Sequence, residues 1–163
     1  MLKRGDESFL KDAFKKVSLV TATVIAGFFL SAVLVEWIKS SHAPFQGFAN
    51  YEWVPRLNTF LYLMTMFNIL VIRYAVMRIY IAPGPGPDDF KAVVRRLYRA
   101  DIAAMLLSGL PCIYGLVLFL LAGDHVDFYL LFALTVIYGT IYFPRYTKWV
   151  SIVEEKEINI KAV

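Results

Sequence analysis

The sequence predicts an all-α integral membrane protein with four transmembrane helices. The first observation is composition: 59% of the 163 residues are hydrophobic and the mean hydropathy is +0.59, whereas soluble domains have about 45–50% apolar residues. The second is arrangement, because the apolar residues form four charge-free runs: Val17–Val35, Leu57–Ile72, Ile102–Gly123 and Phe128–Pro144. The third is length, since a helix needs about 20 residues, range about 17–25, to cross a bilayer.

These runs extend to four predicted spans in one domain of residues 1–163. The spans cover residues 17–38, 56–81, 98–122 and 127–149. The second reaches residue 81 because Arg73 and Arg78 can extend their charged ends to the headgroups.

The segment before the first span is amphipathic. Its apolar residues recur at helical spacing: Phe9, Leu10, Ala13, Phe14 and Val17. This pattern predicts either a short helix on the membrane surface or a helical extension of the first span. The segment "FKAVVRRLYRA" (90–100) has the same character and predicts a second amphipathic helix that leads into the third span.

Two loops differ in kind. The outer loop "SSHAPFQGFANYEWVP" (40–55) is rich in aromatic residues, which predicts that it folds back on the membrane surface or meets a partner. The central loop "APGPGPDD" (82–89) alternates proline and glycine, so it ends the second helix. Asp88 or Asp89 can then cap the next helix.

The two halves resemble each other. "LKDAFKKV" (10–17) is similar in kind to "FKAVVRRL" (90–97), and "IRYAVMR" (72–78) to "PRYTKWV" (144–150). One interpretation is a duplicated helical hairpin. The other is that two spans entering from the same side need similar flanks.

The basic residues predict the orientation. Of the 17 lysines and arginines, 15 lie in the N-terminal segment, the central loop and its flanks, or the C-terminal tail, and only Lys39 and Arg56 lie on the opposite side. Both termini are therefore predicted to be cytoplasmic, in a bacterial or archaeal inner membrane. The same residues predict contact with anionic headgroups. No basic patch lies beyond the membrane flanks, so nucleic acid is not an expected partner.

Residues 109–121 carry the one family resemblance in the chain. "IYGLVLFLL" (113–121) resembles the ion-carrying helix of rotor-ring proteolipids, the c or K subunits of rotary ATPases. In that family a carboxylate often stands five residues before Tyr-Gly-Leu-Val, and the resemblance implies an ion-carrying helix in a ring of hairpins. Here Gly109 occupies the carboxylate position and cannot hold a proton or a sodium ion.

Small residues in the spans predict close helix packing, which in lipid depends on backbone approach. In the third span the set is Ala104, Ser108, Cys112 and Gly115; in the first it is Ala22, Ala26, Gly27 and Ser31. Pro111 removes the hydrogen bond to the Leu107 carbonyl and predicts a kink. A ligand groove opened by that kink is the alternative to packing.

Few ionisable groups lie at depth within the spans. Glu36 is predicted to pair with Arg56 across the outer loop, or alternatively to relay protons. Asp101 is predicted to pair with Arg73 or Arg145 at the inner face. Asn58, Thr65 and Asn68 share one face of the second helix, which should point into the bundle.

The remaining residues give little support for catalysis. Cys112 is the only cysteine, and the two histidines, His42 and His125, lie in outer loops. With nearby acidic residues they could form a surface metal site, but the spacing of these residues is not that of a typical metal-binding motif. We expect no cofactor, no metal and no catalytic residues. The predicted function is a non-catalytic membrane subunit or a self-associating helical bundle. The alternative is a small transporter or channel that works as an oligomer through the Glu36, Asn58, Thr65 and Asn68 face; an enzyme comes third.

Overall fold

The computed structural model describes residues 4–49, 52–81 and 90–161, and every regular element in these ranges is an α-helix. The helices are α1 (Arg4–Ser41), α2 (Val54–Ile81), α3 (Phe90–Ser108), α4 (Leu110–Ala122), α5 (His125–Ile141) and α6 (Tyr146–Lys161). The proline-glycine segment at 82–89 and its capping aspartates lie outside the described residues.

Several of these helices are long and apolar enough to cross a membrane. Within the described ranges there are three: Gly5–Ser41, Val54–Tyr74 and Phe90–Ala122, the last made of α3 and α4 together. A fourth is present if α5 and α6, which meet at an angle of 46°, count as one span. The all-helical class with several membrane-length apolar helices is thereby confirmed.

The last predicted span, 127–149, is not one straight helix. α5 ends at Ile141 and α6 begins at Tyr146, so residues 142–145 separate them. Pro144 explains the break, because the residue before a proline is sterically disfavoured in the helical region and the proline itself has no backbone N–H.

The amphipathic N-terminal segment continues the first span. α1 runs without interruption from Arg4 to Ser41, so of the two alternatives the structure has the helical extension. Leu10 and Val17 are fully buried against Val94 of α3 and Trp149 of α6. The two amphipathic segments therefore cover their apolar faces with each other and with α6, and neither lies alone on a surface.

α3 and α4 form the centre of the bundle. α1 and α2 both pack on α3 but hardly touch each other, whereas α4 and α5 are in extensive contact. The two helices of the first predicted hairpin, α1 and α2, are therefore separated, whereas α4 and α5 of the second pack against each other. α1 runs parallel to α3 and α4. Phe9 contacts Phe90, and Ser31, later in α1, contacts Cys112, later in the α3–α4 segment.

The outer loop folds onto the end of α4. The backbone N–H groups of Phe48 and Ala49 donate to the carbonyls of Leu120 and Leu121 at 3.0 and 2.9 Å. The last carbonyls of a helix have no partner within the helix, so this loop satisfies two of them. Gly47 has a φ of +82°, and a Cβ there would overlap the Leu121 carbonyl. The loop is thus held by the chain's own backbone.

Candidate functional site

The centre of the candidate site is the break between α3 and α4 at Gly109. Pro111 lies in the first turn of α4 and has no N–H, so the Leu107 carbonyl has no helical donor. The side chain of Asn68, which is only 5% exposed, donates to that carbonyl through Nδ2 at 2.6 Å. α2 therefore supplies the hydrogen bond that the proline removes.

α1 closes the same break from another side. The ring of Phe28 lies against Gly109 so closely that a Cβ there would overlap its Cζ atom. One turn further along α1, the Ser31 hydroxyl lies 3.1 Å from the Cys112 thiol. Side chains of the bundle therefore occupy the region where a ligand groove was the alternative to packing.

The small residues of the third span lie at helix contacts. Ala104, Ser108 and Cys112 are 1%, 0% and 2% exposed, and Gly115 is buried. A Cβ on Gly115 would lie 3.1 Å from the Cα of Phe128 and 3.2 Å from the Cβ of Leu131. The absent side chain is what allows α4 and α5 to approach so closely.

Three of the four small residues of the first span lie elsewhere, whereas Ser31 contacts Cys112. Ala22, Ala26 and Gly27 are exposed, and a Cβ on Gly27 would meet nothing within 4 Å. The packed side of α1 carries larger residues instead: Thr21, Phe28 and Val35, at intervals of seven. Packing of Ala22 and Ala26 within the chain, one of the interpretations of the sequence, is therefore not found, because the bulkier residues form the inward face.

The three polar residues predicted to share a face of α2 lie on its inward side and are hydrogen-bonded. Thr65 is 2% exposed and donates to the Leu61 carbonyl of its own helix at 2.9 Å. Near the first turn of α5, Asn58 donates to the Asp127 carboxylate, and the Tyr62 hydroxyl donates to its other oxygen at 2.7 Å. The hydrogen bond between Tyr62 and Asp127 was not predicted, because in the sequence Asp127 is notable only as a neighbour of His125.

Glu36 has different partners from the one predicted. Its carboxylate accepts a hydrogen bond from the Tyr129 hydroxyl of α5 and lies 3.7 Å from the Lys39 ammonium. The predicted ion pair with Arg56 does not form. The reason is topological: α1 hardly touches α2, where Arg56 lies, but it contacts α5. Glu36 is therefore not part of the polar face of α2.

Asp101 lies near the opposite end of the bundle. It is 5% exposed, and its Oδ2 accepts a hydrogen bond of 2.7 Å from the indole Nε1–H of Trp149. Arg73 and Arg145 were the partners that the sequence suggested, whereas this donor is the indole of Trp149, which is fully buried. Arg145 does share a cavity of about 180 Å³ with Asp101, at the bend between α5 and α6.

The chemistry available to these groups is hydrogen bonding between helices. Among the residues that the structure describes, no group of three or more histidine, cysteine, aspartate or glutamate side chains is placed to hold a metal ion. Asn68, Asp101 and Asp127 each join two helices through a side-chain hydrogen bond. The arrangement is that of a packed bundle fastened at its centre and near both ends.

No family model, no curated protein and no solved structure matches the chain.

Proposed function

We propose that the protein is a non-catalytic, self-associating helical bundle that crosses the cytoplasmic membrane of a bacterium or archaeon four times. In this proposal α5 and α6 together make the fourth crossing, and both termini face the cytoplasm. The 15 basic residues on one side support this orientation. The parallel register of α1 with α3 and α4 supports an origin by hairpin duplication, although the two hairpins pack differently.

The exposure of α1 is the observation that carries the proposal. Its most apolar window has a mean hydropathy of 2.2, yet only 11% of that window is buried within the chain. The corresponding window of Phe90–Ala122, with the same hydropathy, is 50% buried. α1 therefore presents a large apolar surface to lipid or to another transmembrane helix.

The residues on that surface favour a second helix. Ala22 and Ala26 are four apart, as are Thr23 and Gly27, and all four are exposed. Pairs of small residues at this spacing let two helix backbones approach closely, which stabilises helix association in membranes. We therefore place a contact between two copies of the chain along this face of α1, called the α1 small face below.

The transporter alternative has less support. Asn58, Thr65 and Asn68 all donate hydrogen bonds within the bundle, and Glu36 lies at the contact of α1 with α5. A polar path needs groups that can exchange partners with a passing solute, whereas the two amides bond to neighbouring helices and the Thr65 hydroxyl bonds to the Leu61 carbonyl of its own helix.

The test compares Gly27→Leu with the parent protein in mild detergent. Light scattering coupled to size exclusion should give a multiple of the 18.6 kDa protomer for the parent and a shift to the protomer for Gly27→Leu. Because the space around Gly27 is open within the chain, the melting temperature of the protomer should not fall. Leu19→Ile, a volume-conserving change at a side chain that is 69% exposed, is the control. A parent protein that is a protomer under these conditions contradicts self-association, and so does a Gly27→Leu variant that remains oligomeric.

A further inference from the structure

A groove of about 440 Å³ runs between α1 and α5 and shares Phe28 with the helix break described above. Ile25, Phe28 and Phe29 line it on α1, and Val136 and Gly139 line it on α5. Ligand sites in proteins have volumes of about 300–1,000 Å³, and this groove falls in that range. The wall is mainly apolar, so the groove suits a hydrocarbon chain.

The inner end of the groove is basic. Arg145, which is exposed, lines both the groove and the neighbouring cavity of about 180 Å³ at the α5–α6 bend. Lys148 lines that second cavity and adds another positive charge. Asp101 is the acidic group facing the same cavity, and its Oδ2 accepts a hydrogen bond from Trp149. The two cations outnumber this one carboxylate, so the shared region favours an anion.

Depth along the bundle agrees with this arrangement. Tyr146 and Trp149, just after Arg145, make edge-to-face contacts with Phe14, which precedes the first charge-free run. Further along the groove, Phe29 contacts Phe132 near the middle of both helices. The apolar part therefore lies within the span and the basic part at its cytoplasmic end, in the orientation proposed above.

We infer that this groove binds an anionic phospholipid of the cytoplasmic leaflet, with one acyl chain between α1 and α5 and the phosphate at Arg145. An arginine guanidinium can donate two parallel hydrogen bonds to a phosphate, and basic pockets between transmembrane helices on the cytoplasmic side suit anionic headgroups. The inference rests on the proposed membrane orientation but not on self-association.

Native mass spectrometry of the purified full chain, titrated with dioleoyl phosphatidylglycerol or dioleoyl phosphatidylcholine, tests the inference. The two lipids share their acyl chains, so a difference in affinity reports the headgroup. Phosphatidylglycerol should bind more tightly to the parent. Arg145→Gln should weaken its binding about fivefold, the equivalent of about 1 kcal/mol per basic side chain near a membrane surface.

Two further variants separate the site from general attraction. Arg99→Gln removes the same charge from an exposed position on α3 that does not line the groove, and it should leave the affinity unchanged. Val136→Trp, at a side chain that is 38% exposed in the groove, should weaken the binding of both lipids.

Three results would overturn the site. They are equal affinity for the two lipids, equal losses in Arg145→Gln and Arg99→Gln, and a phosphatidylglycerol affinity matched by glycerophosphate without acyl chains. None of them depends on the oligomeric mass that tests the proposed function.

Discussion

Asn68 of α2 donates a hydrogen bond of 2.6 Å to the Leu107 carbonyl, the acceptor from which Pro111 has removed the helical donor. A backbone carbonyl exposed in the interior of a membrane bundle is unfavourable unless a neighbouring helix supplies a donor. The proline and the asparagine, which lie on different helices, are therefore parts of one arrangement.

Asn68→Leu should destabilise the bundle, because it leaves the Leu107 carbonyl without a donor. The expected loss in the free energy of unfolding is about 1–2 kcal/mol, between the mean value for interhelical hydrogen bonds and the value for an unsatisfied buried group. Unfolding by SDS in mixed micelles measures it. Thr65→Val is the matched control, since the Thr65 hydroxyl donates to the Leu61 carbonyl of its own helix, and it should change stability less.

A double-mutant cycle with Pro111→Ala identifies the cause. Alanine restores an N–H at position 111 that can donate to the Leu107 carbonyl, so Asn68→Leu should be less destabilising in that background. Equal effects of Asn68→Leu in both backgrounds would show that the asparagine acts independently of the proline.

Trp149→Phe should destabilise the end of the bundle where α3 and α6 meet. The change keeps an aromatic ring but removes the Nε1–H that donates to Asp101, and hydrogen bonds to charged groups contribute about 1.5–3 kcal/mol. Thermal melts in detergent check this. Trp37→Phe, at a side chain that is 61% exposed, should leave the melting temperature unchanged; an equal drop in both variants would refute a specific role for Trp149.

Gly115→Leu should prevent normal folding, because even a Cβ at this position would lie 3.1 Å from the Phe128 backbone. Leu106→Ile, on a side chain that is 55% exposed, should have almost no effect. Yield of folded protein and melting temperature distinguish the two. Equal tolerance of both changes would mean that the α4–α5 contact does not depend on Gly115.

The proposed orientation can be tested by labelling single cysteines in a Cys112→Ala background. Cysteine at Ser41 should react with an impermeant thiol reagent on intact cells, and cysteine at Gly86 should react only after lysis. Labelling of Gly86 alone on intact cells would invert the orientation.

The positions of the helices could be predicted from the sequence more reliably than the contacts between them. Bilayer thickness fixes the length of a charge-free run, so the apolar helices follow from composition. The partner of Glu36 depends on which helices touch, and α1 lies against α5 and hardly contacts α2. The sequence therefore suggested Arg56, whereas the structure has Tyr129.

At the candidate site, too, the properties of single residues could be predicted but the contacts between helices could not. Burial of Asn68 followed from its spacing with Thr65, and the unpaired Leu107 carbonyl followed from Pro111. That these two groups meet could not be predicted, because the relative height of α2 and α3 is set by tertiary packing. Likewise, the packing of α1 could not be assigned from its small residues, since larger residues occupy its inward face.

Disulfide cross-linking in native membranes tests self-association through the α1 small face most directly. In a Cys112→Ala background, Ala26→Cys should form a covalent dimer on mild oxidation, because the proposed contact places the two copies of position 26 against each other. Met66→Cys, on an α2 side chain that is 66% exposed, should remain a monomer, and Gly27→Leu should abolish the Ala26→Cys dimer. Absence of a dimer at position 26, or equal dimer formation at positions 26 and 66, would contradict the account.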